Sequence, residues 1–262
     1  MRHRDQLGRA RQQRVERIQI ELAVGHVSNV VGTINPVEEI VRRSRAAGAV
    51  TVVDGTQAVP QIPVDLRAID ADFYAWTGHK AYGPTGVGVL HGRRELLAAM
   101  PPWLGGGHMI HNVSFDEITF AAPPARFEAG TSAIAEGIGL GAAAELLAGL
   151  GMETVRAHER ELLAYAIERL AEIDGLDVHG PADPDRRGAL LSFAMDGIHP
   201  HDIADILGRD GVCVRAGHHC AQPLMRHLGI TASTRASFAV HTTREDVDRL
   251  VAGLHRVREI FA

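Results

Sequence analysis

Two β-rich apolar runs, IELAVGHVS at 20–28 and AVTVVDG at 49–55, bracket a segment patterned as a helix, NVVGTINPVEEIVRRSRAAG. Within it Asn35 reads as an N-cap, Pro36 as the first helical residue, Glu38 as completing a box-like spacing, and Gly48 as the stop. Two strands joined through a helix are parallel, with a right-handed crossover. That unit commits the chain to an α/β sheet, in which ligands gather at the carboxyl ends of the strands. Strands at 71–78 (ADFYAWTG) and 86–92 (GVGVLHG) extend the sheet. The turn at 82–85 is too short for a crossover, so the second of these runs antiparallel to the first.

Residues 101–130, rich in Pro and Gly, read as loops with few regular elements. A small-residue helix is expected at 133–151 and an amphipathic one near 153–173. Beyond them lie a strand at 188–195, a helix at 200–209, a strand at 211–217, the loop HHCAQP, a short helix beginning near Pro223, a strand at 234–240, and a closing helix capped by Thr243. This last stretch forms an α+β unit of its own. The expected boundaries are an Arg-rich leader at 1–21, a large-domain portion at 22–150, and a small C-terminal domain at 151–262.

Composition narrows the function. Hydrophobic content of 45% and charged content of 23% are globular values. A net charge of -5 leaves no basic surplus to neutralise phosphates, which argues against nucleic acid as the main partner. Two cysteines make no disulfide framework and suit a reducing cytoplasm, and no run of 18 apolar residues suggests a membrane span. Residues 1–17 carry six Arg without the apolar centre of a signal peptide, and read as a solvated, partly helical leader.

The chain contains a single lysine, Lys80, against 26 arginines. Where any solvated cation serves, this sequence uses arginine. A position that keeps lysine is either a chance survivor on the surface or one that needs chemistry a guanidinium cannot perform, such as a deprotonated amine acting as nucleophile or forming an imine, and its neighbours decide. Asp54 ends one strand and Lys80 follows another, so both face one crevice. A lysine that forms an imine with an aldehyde cofactor and an aspartate that keeps a pyridine nitrogen protonated are the two parts a pyridoxal phosphate (PLP) electron sink requires. Gln57 could donate to the ring oxygen, and Thr77 and His79 to a phosphate. Taken singly, Asp54 is more often a turn former or N-cap, and the other three more often a surface amide, a strand-end hydroxyl and a satisfied core histidine.

In RAGHHCAQP at 215–223, Cys220 follows two histidines and precedes a helix, a setting that favours the thiolate. Cys213 reads as a buried, inert thiol inside its strand. Zinc is the weaker alternative, because two adjacent histidines do not easily reach one ion. Arg235 offers a planar fork for an α-carboxylate, or is an outward-facing strand arginine.

Assembled, these stretches resemble the class V aminotransferase-type PLP enzymes, specifically the cysteine desulfurase and selenocysteine lyase group of the SufS kind. The matching segments are HVSNVVGTINPV (26–37), VVDGTQAVPQIPVD (52–65), FYAWTGHKAYGPTGVGVL (73–90), PPWLGGGHMI (101–110), FEAGT (127–131), VRAGHHCAQPLM (214–225) and TRASFAVHTT (234–243). The resemblance implies a fold-type I PLP-dependent transferase with a partial large domain. It casts Lys80 as the Schiff-base lysine, Asp54 as partner of the pyridine nitrogen, Gln57 as partner of the ring oxygen, and Thr77 and His79 as phosphate ligands. Thr131 would reach the phosphate from the second subunit of a homodimer. Asn29 and Arg235 would bind the substrate carboxylate, Asn29 also facing the cofactor, with Arg215 at the active-site entrance and Cys220 accepting sulfur as a persulfide. The implied substrate is L-cysteine or L-selenocysteine, and the implied recipient is a sulfur-acceptor protein of iron–sulfur cluster assembly.

Two departures stand out. His241-Thr242-Thr243 replaces the family's usual Tyr-Asn-Thr. The family's N-terminal third, with a phosphate-binding loop and a ring-stacking side chain, has no expected counterpart in residues 1–19. A non-catalytic remnant, or another class V lyase such as a kynureninase, is therefore the alternative, although a kynureninase has no need of Cys220.

Overall fold

The computed structural model describes residues 21–262, so the Arg-rich leader expected at 1–21 lies almost wholly outside the described residues. From the front, the elements are β1 (Glu21–Gly25), α1 (Val37–Ala46), β2 (Val50–Asp54), a four-residue helix α2 (Leu66–Ile69), β3 (Phe73–Thr77), a single 3-10 turn (Gly78–Lys80) and β4 (Gly88–Gly92). The sheet runs β1-β2-β3-β4, with the first three strands parallel and β4 antiparallel to β3, as the sequence predicts.

Helix α1 packs on β2 through Val37 and Val41, one turn apart, and carries Glu38 and Glu39 in its first turn and Arg43 and Arg45 in its last, matching the helix dipole. Its start differs from the sequence reading. Pro36 holds the cap position and no side chain caps the helix. The Asn35 amide instead donates to the Gly25 carbonyl at 2.7 Å, tying the helix entrance to the last residue of β1.

Helix α3 (Arg94–Ala99) is followed by a hairpin of β5 (Ile110–Val113) and β6 (Ile118–Phe120), regular structure inside a stretch read as loop. Helices α4 (Ile134–Leu150) and α5 (Met152–Leu170) meet at Gly151, whose φ of 78° lets the chain turn sharply. The remainder is β7 (Leu176–His179), β8 (Leu190–Met195), α6 (Pro200–Arg209), β9 (Arg215–Gly217), α7 (Gln222–Leu228), β10 (Ser233–Ser237) and α8 (Arg244–Phe261). Thr243 and Asp246 form the capping box of α8. The strand expected at 211–217 shortens to β9, because Val212 still donates to Leu207 in the turn that ends α6. Cys213 therefore lies outside the strand and is exposed rather than buried.

The second sheet, ordered β7-β8-β10-β9, is antiparallel throughout. Leu162, Leu163 and Leu170 of α5, Ile203 and Leu207 of α6, and Leu250 and Leu254 of α8 bury one face of it, around Leu191 and Phe193. The other face of β8 meets the loop after β1: the Ser192 hydroxyl donates to the Val30 carbonyl, and Gly188 donates to Gly32 at 2.7 Å. A Cβ on Gly32 (φ 70°) would come within 2.8 Å of the Arg187 side chain, so the close approach of the two units requires glycine there. No single helix among the described residues is long and apolar enough to cross a membrane.

Candidate active site

Three neighbouring parallel strands end at one edge of the first sheet, and each carries candidate residues beyond its last position. Asn29 follows β1, Asp54 and Gln57 follow or close β2, and Thr77, His79 and Lys80 close or follow β3.

Asp54 is exposed, and its Oδ1 accepts the Thr56 amide at 2.9 Å, which orients the carboxylate. Behind it, Gly55 lies against the Tyr74 ring so closely that an added Cβ would sit 2.0 Å from a ring carbon. The Tyr74 hydroxyl and His26 Nδ1 form a 3.0 Å hydrogen bond with the two rings edge-on. Burial raises the Tyr74 pKa, with a smaller push from Asp54, and burial lowers that of His26 to about 4. A neutral, rigid pair thus backs the Asp54 carboxylate.

Thr77 Oγ1 and His79 Nδ1 are hydrogen-bonded to each other at 2.8 Å. Lys80 is exposed and makes no ion pair among the described residues. The turn that presents it closes through Ala81 and Gly83 amides donating to Gly78, and continues through Tyr82 at a φ of 62°. Tyr82 accepts the Val240 amide at 3.2 Å, so the Lys80 segment is bonded to the chain just beyond β10. Gln57 is half-buried. Its amide oxygen accepts from Gln61, which in turn accepts the Ala189 amide, a relay into the second sheet.

On the other side, Arg235 of β10 donates through Nη1 to the Asn29 carbonyl at 2.8 Å, and the Asn29 amide donates to the His219 carbonyl at 2.7 Å. His219 is buried with Nε2 3.1 Å from both the Ser233 carbonyl and hydroxyl. A carbonyl only accepts, so Nε2 carries the proton and Nδ1, which has no partner among the described residues, is the unprotonated nitrogen. Burial, then the nearby Arg235, lowers the His219 pKa. His219 and Cys220 have successive positive φ values of 52° and 62°, an uncommon pair for residues with a Cβ. The exposed Cys220 opens on a cavity of about 490 Å³ lined with Arg215, His218, His219 and Gln222. Arg215 and Arg235 face each other across β9 and β10. The guanidinium of Arg235 is half-buried; burial lowers its pKa, and Arg215 lowers it further.

The structure therefore brings Asn29, Arg235 and the Cys220 loop into one bonded set, and the Asp54, Thr77, His79 and Lys80 positions onto one sheet edge. Thr131 is exposed in the loop before α4, apart from both sets of bonds. The sequence does not reveal the roles of Tyr82, which reads only as a turn residue, or of His26 and Tyr74, whose partners are remote in sequence; His219 reads as a neighbour of Cys220, and its bonds to Ser233 become visible only in the fold. Among the described residues no cluster of His, Cys, Asp or Glu is arranged to hold a metal.

The fold is that of the fold-type I PLP-dependent enzymes. The aminotransferase class-V profile matches residues 6–250, and the chain belongs to that family. It is 51% identical over 246 residues to a probable cysteine desulfurase 2 of Mycobacterium leprae, covering 94% of this chain and 59% of that one. It is 50% identical over 235 residues to a probable cysteine desulfurase of Streptomyces coelicolor, covering 90% of this chain and 56% of the relative. The crystal structure of the cysteine desulfurase CsdA (S-sulfonic acid) from Escherichia coli superposes with a TM-score of 0.88 at 43% identity, over 92% of this chain and 59% of that one. The chain thus spans somewhat under three fifths of the length of these relatives.

Proposed function

We propose that this chain carries the reaction centre of a PLP-dependent cysteine desulfurase, converting L-cysteine to L-alanine with transfer of sulfur to Cys220. The observation that carries the reading is the bonded set Arg235–Asn29–His219, which places a carboxylate-binding guanidinium and a reactive-cysteine loop in one unit, joined through Tyr82 to the Lys80 turn.

The residues fit the cofactor by their chemistry. Asp54 is a carboxylate at a strand end for the pyridine nitrogen, Gln57 an amide for the ring oxygen, the bonded Thr77–His79 pair a hydroxyl and an imidazole for the phosphate, and Lys80 an amine for the aldehyde. When bound, PLP supplies an electron sink for charge developing at the substrate Cα. Arg235 holds the substrate carboxylate through its planar fork, and the second hydrogen of the Asn29 amide is available to the same group. Lys80 takes the proton from Cα and returns one to the product. The Cys220 thiolate attacks the substrate sulfur; as the S–S bond forms the Cβ–S bond breaks, its electron pair stays on the substrate and Cβ takes up a proton from solvent, so the products are alanine and a Cys220 persulfide. Arg215, exposed at the mouth of the cavity, gives incoming substrate a cation to meet.

The proposal extends to a homodimer in which Thr131 meets the partner's cofactor phosphate. Exposed Trp103, Leu104, Val113 and Phe115 around the β5–β6 hairpin supply an apolar face for that contact. The persulfide passes to an acceptor protein of iron–sulfur assembly in the cytoplasm, a compartment that suits two free thiols.

The deciding experiment is the visible spectrum of the purified chain after incubation with PLP, with Lys80→Ala as control and borohydride trapping to locate the linkage. A Lys80-dependent band followed by alanine release from L-cysteine supports the reading; folded protein with no such band overturns it. L-Selenocysteine as competing substrate separates desulfurase from selenocysteine lyase.

A further inference from the structure

Helix α5 carries a buried carboxyl that the reaction does not use. Glu159 is 1% exposed, and neither of its oxygens has a hydrogen-bond partner among the described residues. It lies one turn beyond Val155, which packs in a cluster with Ala81, Leu147, Trp76, Tyr82 and Val240. That cluster is the seam between the Lys80 turn and the second unit, and among the described residues the polar tie across it is the Val240 amide donating to Tyr82. Tyr82 is two residues past Lys80, and Val240 five past Arg235, so the seam sets the spacing of the two.

The groups whose charge reaches Glu159 are few. Arg156, one turn earlier on α5, is the nearby cation, and the Tyr82 hydroxyl feels the Glu159 charge. Arg156 is itself held: it donates to the carbonyls of Pro184, Asp185 and Arg187, and shares the fields of the Asp185 carboxylate and Arg160. It cannot swing to Glu159 without undocking that turn. The imidazole of His158, next along the helix, is bonded to the Thr242 carbonyl. An ionised Glu159 would therefore sit sealed and unsolvated, a state relieved by letting water into the seam.

We propose that Glu159 is a positioning residue: as the neutral acid it keeps the Tyr82–Val240 seam closed, and its ionisation opens the seam and frees the Lys80 turn from the strand that bears Arg235. Burial accordingly raises its pKa to about 8, against a smaller opposing effect of Arg156. The seam and its titration stand apart from the reaction; the consequence for Lys80 rests on the reading above.

Trp76 sits in the seam and reports on it directly. In the full chain with the exposed Trp103 changed to Phe, Trp76 fluorescence is followed from about pH 6 to about pH 10, with and without Glu159→Gln. The expected result is a one-proton transition near pH 8 that Glu159→Gln abolishes, holding the low-pH signal throughout. No transition, or the same transition in Glu159→Gln, overturns the proposal. Should Glu159→Gln fail to fold, pH-difference infrared spectra of the unaltered chain decide: the carbonyl band of a protonated carboxyl must disappear through the same range, and its absence at neutral pH overturns the proposal. Tyr82→Phe, lacking the acceptor for Val240, should show the high-pH signal at every pH. In cofactor-loaded protein the alkaline limb of kcat should shift in Glu159→Gln with KM unchanged. Fluorescence that behaves as expected without any turnover would count against the desulfurase reading and leave the seam intact.

Discussion

The guanidinium of Arg235 and the backbone carbonyl of Asn29 are joined at 2.8 Å across 206 residues of sequence, so the substrate-binding candidate on β10 is anchored by the loop that follows β1. With Nη1 committed to Asn29, the rest of the fork is left for a ligand. Arg235→Lys keeps the charge but cannot serve both. The expected outcome is a KM for L-cysteine raised by roughly tenfold to a hundredfold, in line with about 1.5–3 kcal/mol for a charged hydrogen bond, and a smaller change in kcat. Steady-state kinetics of the loaded protein checks this, and an unchanged KM would remove Arg235 from the substrate site.

Gly55 and Tyr74 make a prediction about stability. With a Cβ only 2.0 Å from the ring, Gly55→Ala must displace Tyr74 and with it the support of Asp54. A loss of about 1–3 kcal/mol is expected from such overpacking, together with weaker retention of PLP. Gly141 of α4 is the control, because nothing lies within 4 Å of its Cβ position and its φ is not in the left-handed region. Gly141→Ala should stabilise the chain by about 0.5–1 kcal/mol. Urea unfolding of both variants tests the pair, and a neutral Gly55→Ala would contradict the packing described.

The parts of this fold visible in the sequence are those set by local pattern. The βαβ unit follows from two β-rich runs around a segment of helical pattern, and the Thr243 box is a local motif that α8 retains. Asn35 shows where such reasoning stops: the same amide can cap a helix or reach the Gly25 carbonyl, and the unpaired carbonyl at the end of β1 decides. Strand β7 alternates Leu-Asp-Val-His but is a four-residue edge between two glycines, too short for the period to stand out, and β5 is exposed along its whole length and shows no buried face. The β-rich run around Cys213 reads as strand, whereas the turn ending α6 takes up the preceding residues.

The candidate site divides in the same way. Lys80, Asp54 and Cys220 were legible because their residue types are chemically distinctive at their positions. Their supports, Asn29 to His219 and Tyr82 to Val240, join residues 190 and 158 apart and depend on how the two sheets dock.

Both thiols are exposed, but only Cys220 lies in the cavity with Arg215 and the two histidines. Cys220→Ala should abolish sulfur release from L-cysteine while leaving the Lys80-dependent absorbance band in place; Cys213→Ala should leave both unchanged. Alanine and persulfide assays on the two variants provide the measurement. Undiminished release from Cys220→Ala would sink its assignment as sulfur acceptor.

His26 and Glu159 oppose each other in the dependence of stability on pH. His26 titrates near 6.5 when unfolded and near 4 when folded, so between these values the unfolded chain binds the extra proton. Its contribution is complete above about pH 6.5 and is lost as pH falls toward 4, by at most about 3 kcal/mol. Glu159 is raised from 4.5 to about 8, so there the folded chain binds the extra proton and stability declines as pH rises through that range. The two slopes partly cancel between about pH 4.5 and 6.5, so the unaltered chain should show a shallow dependence that conceals both. His26→Gln can still bond Tyr74 but does not titrate. Its urea midpoint relative to the unaltered chain should therefore improve steadily as pH is lowered from about 6.5, leaving the Glu159 slope opposed by His219, whose pKa burial also lowers. A constant difference at every pH would mean that His26 is not held neutral against Tyr74.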